Sequence, residues 1–147
     1  MAYKKVQISC VGQPTEAEYQ VAAAVTPGRI VELTSAGKVQ HHSTAGGKCL
    51  KCVALGMPEI GKTITDASGA SDFIRVWFPK PGDIGAISIA VSQNVSIGDW
   101  VESNGDGTVR KAAADTSAGT IVVGSLIGQV LEATNLTHVV LVQVRFA

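Results

Sequence analysis

The chain has 147 residues, 12 Lys and Arg against 12 Asp and Glu, and only 16% of its residues are charged. That length suits one domain, which buries roughly two-thirds of the surface its unfolded chain exposes; the zero balance supplies no net field to draw nucleic acid or an anionic membrane, so neither is an expected partner. Three cysteines, Cys10, Cys49 and Cys52, make no disulfide framework, and Met1 to Lys5 leads into too short an apolar run for a signal peptide, so the sequence predicts a protein made in the cytoplasm.

Tyr3 to Cys10 alternates Val6 and Ile8 with polar Lys5, Gln7 and Ser9, as a half-buried strand does. Residues 1–14 therefore read as an N-terminal arm or edge strand, with open backbone groups able to pair with another chain. The next stretch reads two ways. Thr15 can cap a short helix with Glu16 and Glu18 in its first turn, and Val21 to Val25 can equally be a strand. Gly28 to His42 reads as a hairpin, Gly46-Gly47 breaks the chain, and Cys49 to Leu55 is an apolar run of strand length. Pro58 to Asp72 reads as loop. Phe73 to Phe78 alternates sharply, with Ile74, Val76 and Phe78 on one face and Phe73, Arg75 and Trp77 on the other. That second face is either a further core layer or a partly exposed patch, and Trp with Arg is typical of interface anchors. After the break at Lys80-Pro81-Gly82-Asp83, strands are predicted at Ile84 to Val91, in a hairpin from Gly98 to Lys111, at Ile121 to Leu131 and at His138 to Phe146. About ten strands with at most one short helix make an all-β fold.

The two hairpins share a design. Asn104-Gly105-Asp106-Gly107 supplies the φ > 0 residues of a tight turn between Val101 and Val109. Seventy positions upstream, Gly28, Val31, Glu32, Gly37 and Val39 match Gly98, Val101, Glu102, Gly107 and Val109. The matches read either as two copies of one unit or as two similar hairpins.

Three constellations resemble chemistry. Gly56-Met57-Pro58-Glu59-Ile60-Gly61-Lys62-Thr63 satisfies the phosphate-loop pattern, in which backbone N–H groups and a Lys cradle phosphates. Its context fails: the residues after it, Ile64 to Ser71, are poor helix formers without an apolar stripe, and Pro58 removes a cradle donor. His41, His42, Cys49 and Cys52 could together ligate zinc, but residues three apart in extended chain face opposite ways, so buried cysteines are the expected outcome. Ser, His and Asp residues are present with no motif that brings them together as a hydrolase site. No catalytic residue, metal ligand or cofactor is assigned.

Several runs then carry a family resemblance: Ala22 to Gly28, Val31 to Val39, Pro58 to Lys62, Lys80 to Asp83 and Gln93 to Ser103. In order and spacing they resemble the head-decoration, or capsid-cement, proteins of tailed bacteriophages, over roughly Glu18 to Glu132. The resemblance implies a single small β-barrel or tulip-like β domain over residues 1–147 that is not an enzyme. It also implies a homotrimer on the outside of an expanded head, clamping neighbouring subunits of the major capsid protein, in a virion assembled from components made in the host cytoplasm. In that family the segment matching Pro58 to Lys62 has no catalytic role. The candidate contacts, drawn from the residues themselves, are Tyr3, Lys5 and Gln7 of the N-terminal segment and Phe73, Arg75 and Trp77 of the alternating strand. Removal of Ala2 to Gln13 is expected to weaken capsid binding with little effect on folding. The competing expectation is a glycan-binding β-sandwich in which Trp77 and Trp100 form a stacking platform.

Overall fold

The short alternating runs become eleven strands in the computed structural model, which describes residues 3–112 and 124–147. They are β1 (Gln7–Ser9), β2 (Thr15–Gln20), β3 (Val31–Leu33), β4 (Val39–His41), β5 (Val53–Ala54) and β6 (Phe73–Phe78), followed by β7 (Ile84–Ile89), β8 (Trp100–Ser103), β9 (Val109–Lys111), β10 (Leu126–Val130) and β11 (Val140–Phe146). Among the described residues the one helical piece is a 3-10 turn at Pro58–Ile60. The all-β expectation therefore holds. Residues 121–123, where the sequence placed the start of β10, lie outside the described residues.

Strands β7, β11, β10, β8 and β9 pair in that order, and a parallel bridge between Ile89 and Val109 closes them into a barrel. Alternation fills it: Ile87, Ile89, Val101, Val109, Val130, Val142 and Val144 are all buried in one cluster. The earlier strands form sheets β2-β6-β5 and β3-β4. They repeat the same circuit with thinner joins. The hairpins have matching registers, Val31↔His41 and Leu33↔Val39 against Val101↔Lys111 and Ser103↔Val109. The correspondence runs past the hairpins. The Val21↔Val39 parallel bridge answers Ile89↔Val109, Ile30↔Val53 answers Trp100↔Gln129, and Val25↔Ser68 answers Val95↔Thr134. Ala54↔Val76 likewise answers Val130↔Val144, and Ala17↔Val76 answers Gly85↔Val144. Hydrogen bonds follow suit. Gly28 N–H donates to Ala54 O at 2.9 Å where Gly98 N–H donates to Val130 O at 2.8 Å, and Ala22 N–H to Val39 O where Ala90 N–H donates to Val109 O, both at 2.8 Å. Of the two readings of the repeat, duplication is the one observed: residues 15–78 and 83–146 are two lobes of one architecture. The core of lobe 1, Val21, Val25, Val31, Val39, Cys52, Ala54, Ile74 and Val76, maps position by position onto inner positions of the lobe 2 barrel.

Segment by segment, the structure also corrects the sequence reading. Thr15–Gln20 is neither helix nor preamble to a strand at Val21; it pairs along its whole length with β6, from Thr15↔Phe78 to Gln20↔Phe73. Glu16 and Glu18 alternate outward around half-buried Ala17 and Tyr19, and tertiary pairing overrides a local preference worth only tenths of a kcal/mol per residue. The N-terminal segment is an edge strand with a partner in its own chain. β1 pairs with β7 through Gln7↔Gly85 and Ser9↔Ile84, the Val6 carbonyl accepts the Ala86 N–H at 2.7 Å, and Val6 is buried in the barrel core. Removing Ala2 to Gln13 would uncover that core, so the expected indifference of folding to this truncation does not follow.

Cys49 and Cys52 face opposite ways, as their spacing requires. Cys49 belongs to the lobe 2 cluster and Cys52 to the lobe 1 core. Burial pushes the Cys49 thiol up to about 11 and the Cys52 thiol up to about 12, which keeps both protonated and unreactive at neutral pH. Cys52 Sγ–H already has an acceptor in Val31 O at 3.0 Å. Cys52→Ser should therefore keep a partner and cost less than the ~1–3 kcal/mol of an unpaired buried hydroxyl. Cys49→Ser, at a thiol whose one hydrogen bond among the described residues is 3.4 Å to its neighbour's carbonyl, should reach that range in urea melts.

Candidate partner-binding groove

The N-terminal segment before β1 runs alongside the loop after β5, and the two enclose a groove of about 790 Å³. Its floor is apolar, made by buried Val6 and Leu55 with half-buried Ile64. Its rim is cationic. Lys4, Lys5, Lys62 and Arg75 line it against one carboxylate, Glu16, so a chain of zero net charge carries a local positive site. Arg75 is held by Glu59 at 2.7 Å and Glu16 at 3.7 Å, Gln7 Nε2 donates to Glu16 at 2.8 Å, and Lys62 pairs with Asp72 at 3.3 Å. Neither Lys4 nor Lys5 has a carboxylate within 4 Å among the described residues. Burial first, and the Glu132 carboxylate second, push the Tyr3 phenol above its ordinary range, and its hydroxyl is buried rather than open to the groove.

Four of the six candidate contacts, Tyr3, Lys5, Gln7 and Arg75, thus meet in one groove. Phe73 is exposed at the far end of β6. Trp77 is wholly buried, its ring 5.4 Å from that of Phe146 at an 80° angle, and so belongs to the core layer that was the other reading of its face. The Trp77–Trp100 platform of the glycan reading is likewise absent, since only Trp100 reaches solvent. Lys62 and Ile64 were missed because their loop read as solvated, with Ile60 and Ile64 the available signal within it; Lys4, in the N-terminal segment, was not among the named contacts.

The phosphate-loop look-alike is spent on its own turn. Pro58–Ile60 is a 3-10 turn capped by Gly61 at φ +77°, and the Gly61 and Lys62 N–H groups donate to Pro58 O and Met57 O. Thr63 donates both its N–H and its hydroxyl to Asp66, which holds that carboxyl below its usual range. A cradle needs such N–H groups free to face a phosphate. Lys62→Ala should shift stability by no more than about 0.5 kcal/mol, as surface substitutions do, and isothermal titration with ATP and magnesium should show no saturable binding for it to abolish.

One pairing was invisible in the sequence. His42 Nε2–H donates to Lys48 O at 3.0 Å, which leaves Nδ1 to accept the Ser103 hydroxyl at 2.6 Å, and Glu32 lies 3.8 Å from Nε2. His42 and Ser103 are both buried, and Ser103 Oγ also accepts the Gly105 N–H, so the cluster ties lobe 1 to lobe 2 with no opening for a substrate. Among the described residues no three His, Cys, Asp or Glu side chains converge as a metal site.

Two lobes of one five-strand circuit, joined through Trp77 and His42, are a fold that can be matched against solved structures. This architecture is similar to a phage head fibre base. The N base of the head fibre gp8.5 of bacteriophage phi29 superposes with a TM-score of 0.54 over 90% of this chain and 94% of that one, at 10% sequence identity. At that identity the likeness establishes the shared fold. No protein-family model matches the chain, and no curated protein matches its sequence.

Proposed function

We propose that the protein is a structural component of a phage virion that binds the outside of the expanded head as a homotrimer and clamps neighbouring major capsid subunits. The observation that carries this reading is the two-lobed fold shared, end to end, with the base of a phage head fibre. The resemblance of the turn-bearing runs to capsid-cement proteins supports it from the sequence side. The groove is the contact offered to the capsid: an apolar floor rimmed by Lys4 and Lys5, which have no carboxylate partner among the described residues, suits a capsid segment with apolar side chains flanked by carboxylates. Beside it β1 sits on the edge of its sheet, where strand addition can extend the grip.

The test adds purified protein to undecorated expanded heads and to immature shells, with occupancy read after sedimentation. Expanded heads should fill and immature shells should not. A variant with Lys4→Glu and Lys5→Glu, which leaves Val6 in the core, should lose occupancy while melting like the parent protein. Equal occupancy on both shells defeats the clamp, and no binding to any capsid of its own phage ends the reading.

A further inference from the structure

Duplication gives the central residues of the joint between the lobes counterparts, and those counterparts are uncovered. Within the chain, the outer face of lobe 1 docks on lobe 2. The Ile30 N–H donates to Gly107 O and the Ser88 N–H to Gly28 O, both at 2.8 Å. Gly28 lies so close under Leu141 that a Cβ there would come within 2.6 Å of Cδ2, and at Gly107 a Cβ would come within 2.9 Å of the His41 ring. Each of these has an equivalent. Gly98 stands for Gly28 and Gly37 for Gly107, at similar positive φ, and a Cβ added at either would meet nothing within 4 Å. Trp100 stands for Ile30, and is 39% exposed where Ile30 is fully buried. Phe73 stands for Leu141 and is 61% exposed; Leu33 stands for fully buried Ser103 and is 59% exposed.

The two bare faces are the two halves of one joint. We propose that copies of this chain associate head to tail, the lobe 2 face around Gly98 and Trp100 of one copy docking on the lobe 1 face around Leu33 and Phe73 of the next, as lobe 1 docks on lobe 2 within the chain. The occupant is a second copy because the fold already shows what covers each face: a lobe of this architecture. The chemistry matches. Phe73 fills the hollow over Gly98 as Leu141 fills that over Gly28. Arg145, at the position of Trp77, meets Phe78, at the position of Phe146, so a cation over an aromatic ring replaces an aromatic pair. The outer edge of β2, whose equivalent on β7 is taken by β1 and Gly28, offers the Gln20 N–H in the place of Ser88. Such a contact is heterologous, so it closes into a ring when the rotation between successive lobes divides a full turn. The inference stands on the duplication and supplies the contact for the homotrimer of the capsid reading; a monomer that still fills expanded heads would defeat the inference and leave the virion role standing.

The experiment is sedimentation of the wild type and of Leu33→Asp and Trp100→Asp variants across a range of concentrations, with melting curves to check folding. The wild type should form a closed oligomer, three copies being the number the capsid reading expects. Each variant should sediment as monomer with a parental melting curve, and Leu136→Asp, at an exposed residue outside both faces, should assemble like the wild type. Polarity is read separately by mild oxidation of a mixture of Leu33→Cys and Ala112→Cys chains, at the positions equivalent to Ser103 and His42, which touch across the joint within the chain. Covalent dimers should form in the mixture and not in either variant alone. A wild type that is monomeric throughout, variants that assemble unchanged, or cross-linking of one variant with itself at the yield of the mixture would overturn the proposal. Should Trp100→Asp melt early, Arg145→Glu, at an exposed position of the same face, replaces it.

Discussion

Trp77→Ala should lower stability by about 3–5 kcal/mol, the largest loss expected of any single side chain here, because it empties a fully buried indole at the joint of the two lobes. The ring stands edge-on to Phe146 at 5.4 Å and lies against Gly85, which has no side chain to fill the space left behind. A cavity in that place cannot collapse without moving β6 on β7, and the residual void sets the upper part of the range. Urea unfolding should show the midpoint falling with little change in slope, and the melting temperature should drop by about 6 °C or more, at roughly 2–4 °C per kcal/mol for a chain of this size. Trp77→Phe separates packing from polarity. The indole N–H finds no acceptor among the described residues, so the smaller ring removes an unsatisfied buried donor as well as contact area. Its cost should be well under half that of Trp77→Ala. A loss below about 1 kcal/mol for Trp77→Ala would mean that the lobes are not held at this residue.

Why the hairpin repeat was legible and the whole duplication was not has a physical answer. Gly28, Gly37, Gly98 and Gly107 all need positive φ, and Val31, Val39, Val101 and Val109 all point into a core, so backbone and burial constrain both copies alike. Outside the hairpins, insertions change the spacing, and paired positions meet different surroundings. Trp77 and Arg145 are equivalent, but one is covered by the other lobe and one faces solvent; Ser103 and Leu33 differ for the same reason. Alternation in Phe73 to Phe78 marks a two-faced strand, yet it cannot tell which partner each face meets. The second strand is hidden because Glu16 and Glu18 imitate a helix start, while the pairing with β6 that overrides them lies dozens of residues away. Of the groove, the N-terminal alternation named Tyr3, Lys5 and Gln7, and the β6 pattern named Arg75. Its third wall, the loop carrying Lys62 and Ile64, has no periodicity to read. The His42–Ser103 contact joins residues on separate lobes and leaves no local mark.

Gly128→Ala should cost about 3 kcal/mol or more, at or above the upper end for overpacking, because the obstacle is backbone rather than a movable side chain. An added Cβ would overlap the Arg145 carbonyl oxygen and come within 2.9 Å of its carbon and 3.0 Å of Phe146 Cα. Those atoms belong to β11, directly opposite: Gly128 pairs with Phe146 and Gln129 with Arg145, so relief requires opening the β10–β11 ladder of the barrel. The equivalent residue in lobe 1 is Cys52, a side chain two heavy atoms larger. It fits because the β5–β6 ladder runs only through Val53↔Trp77 and Ala54↔Val76 and stops short of it. Lobe 1 thus tolerates just outside its ladder what lobe 2 excludes at a paired position. Gly56→Ala is the control, since its nearest neighbour would be Ile64 Cα at 3.8 Å and its φ is not positive. That change should be neutral or stabilise by up to about 1 kcal/mol through the unfolded chain. Thermal and urea melts should therefore show Gly128→Ala well below the wild type and Gly56→Ala at or above it. Equal stability of Gly128→Ala and wild type would show that β10 and β11 are not paired at this residue.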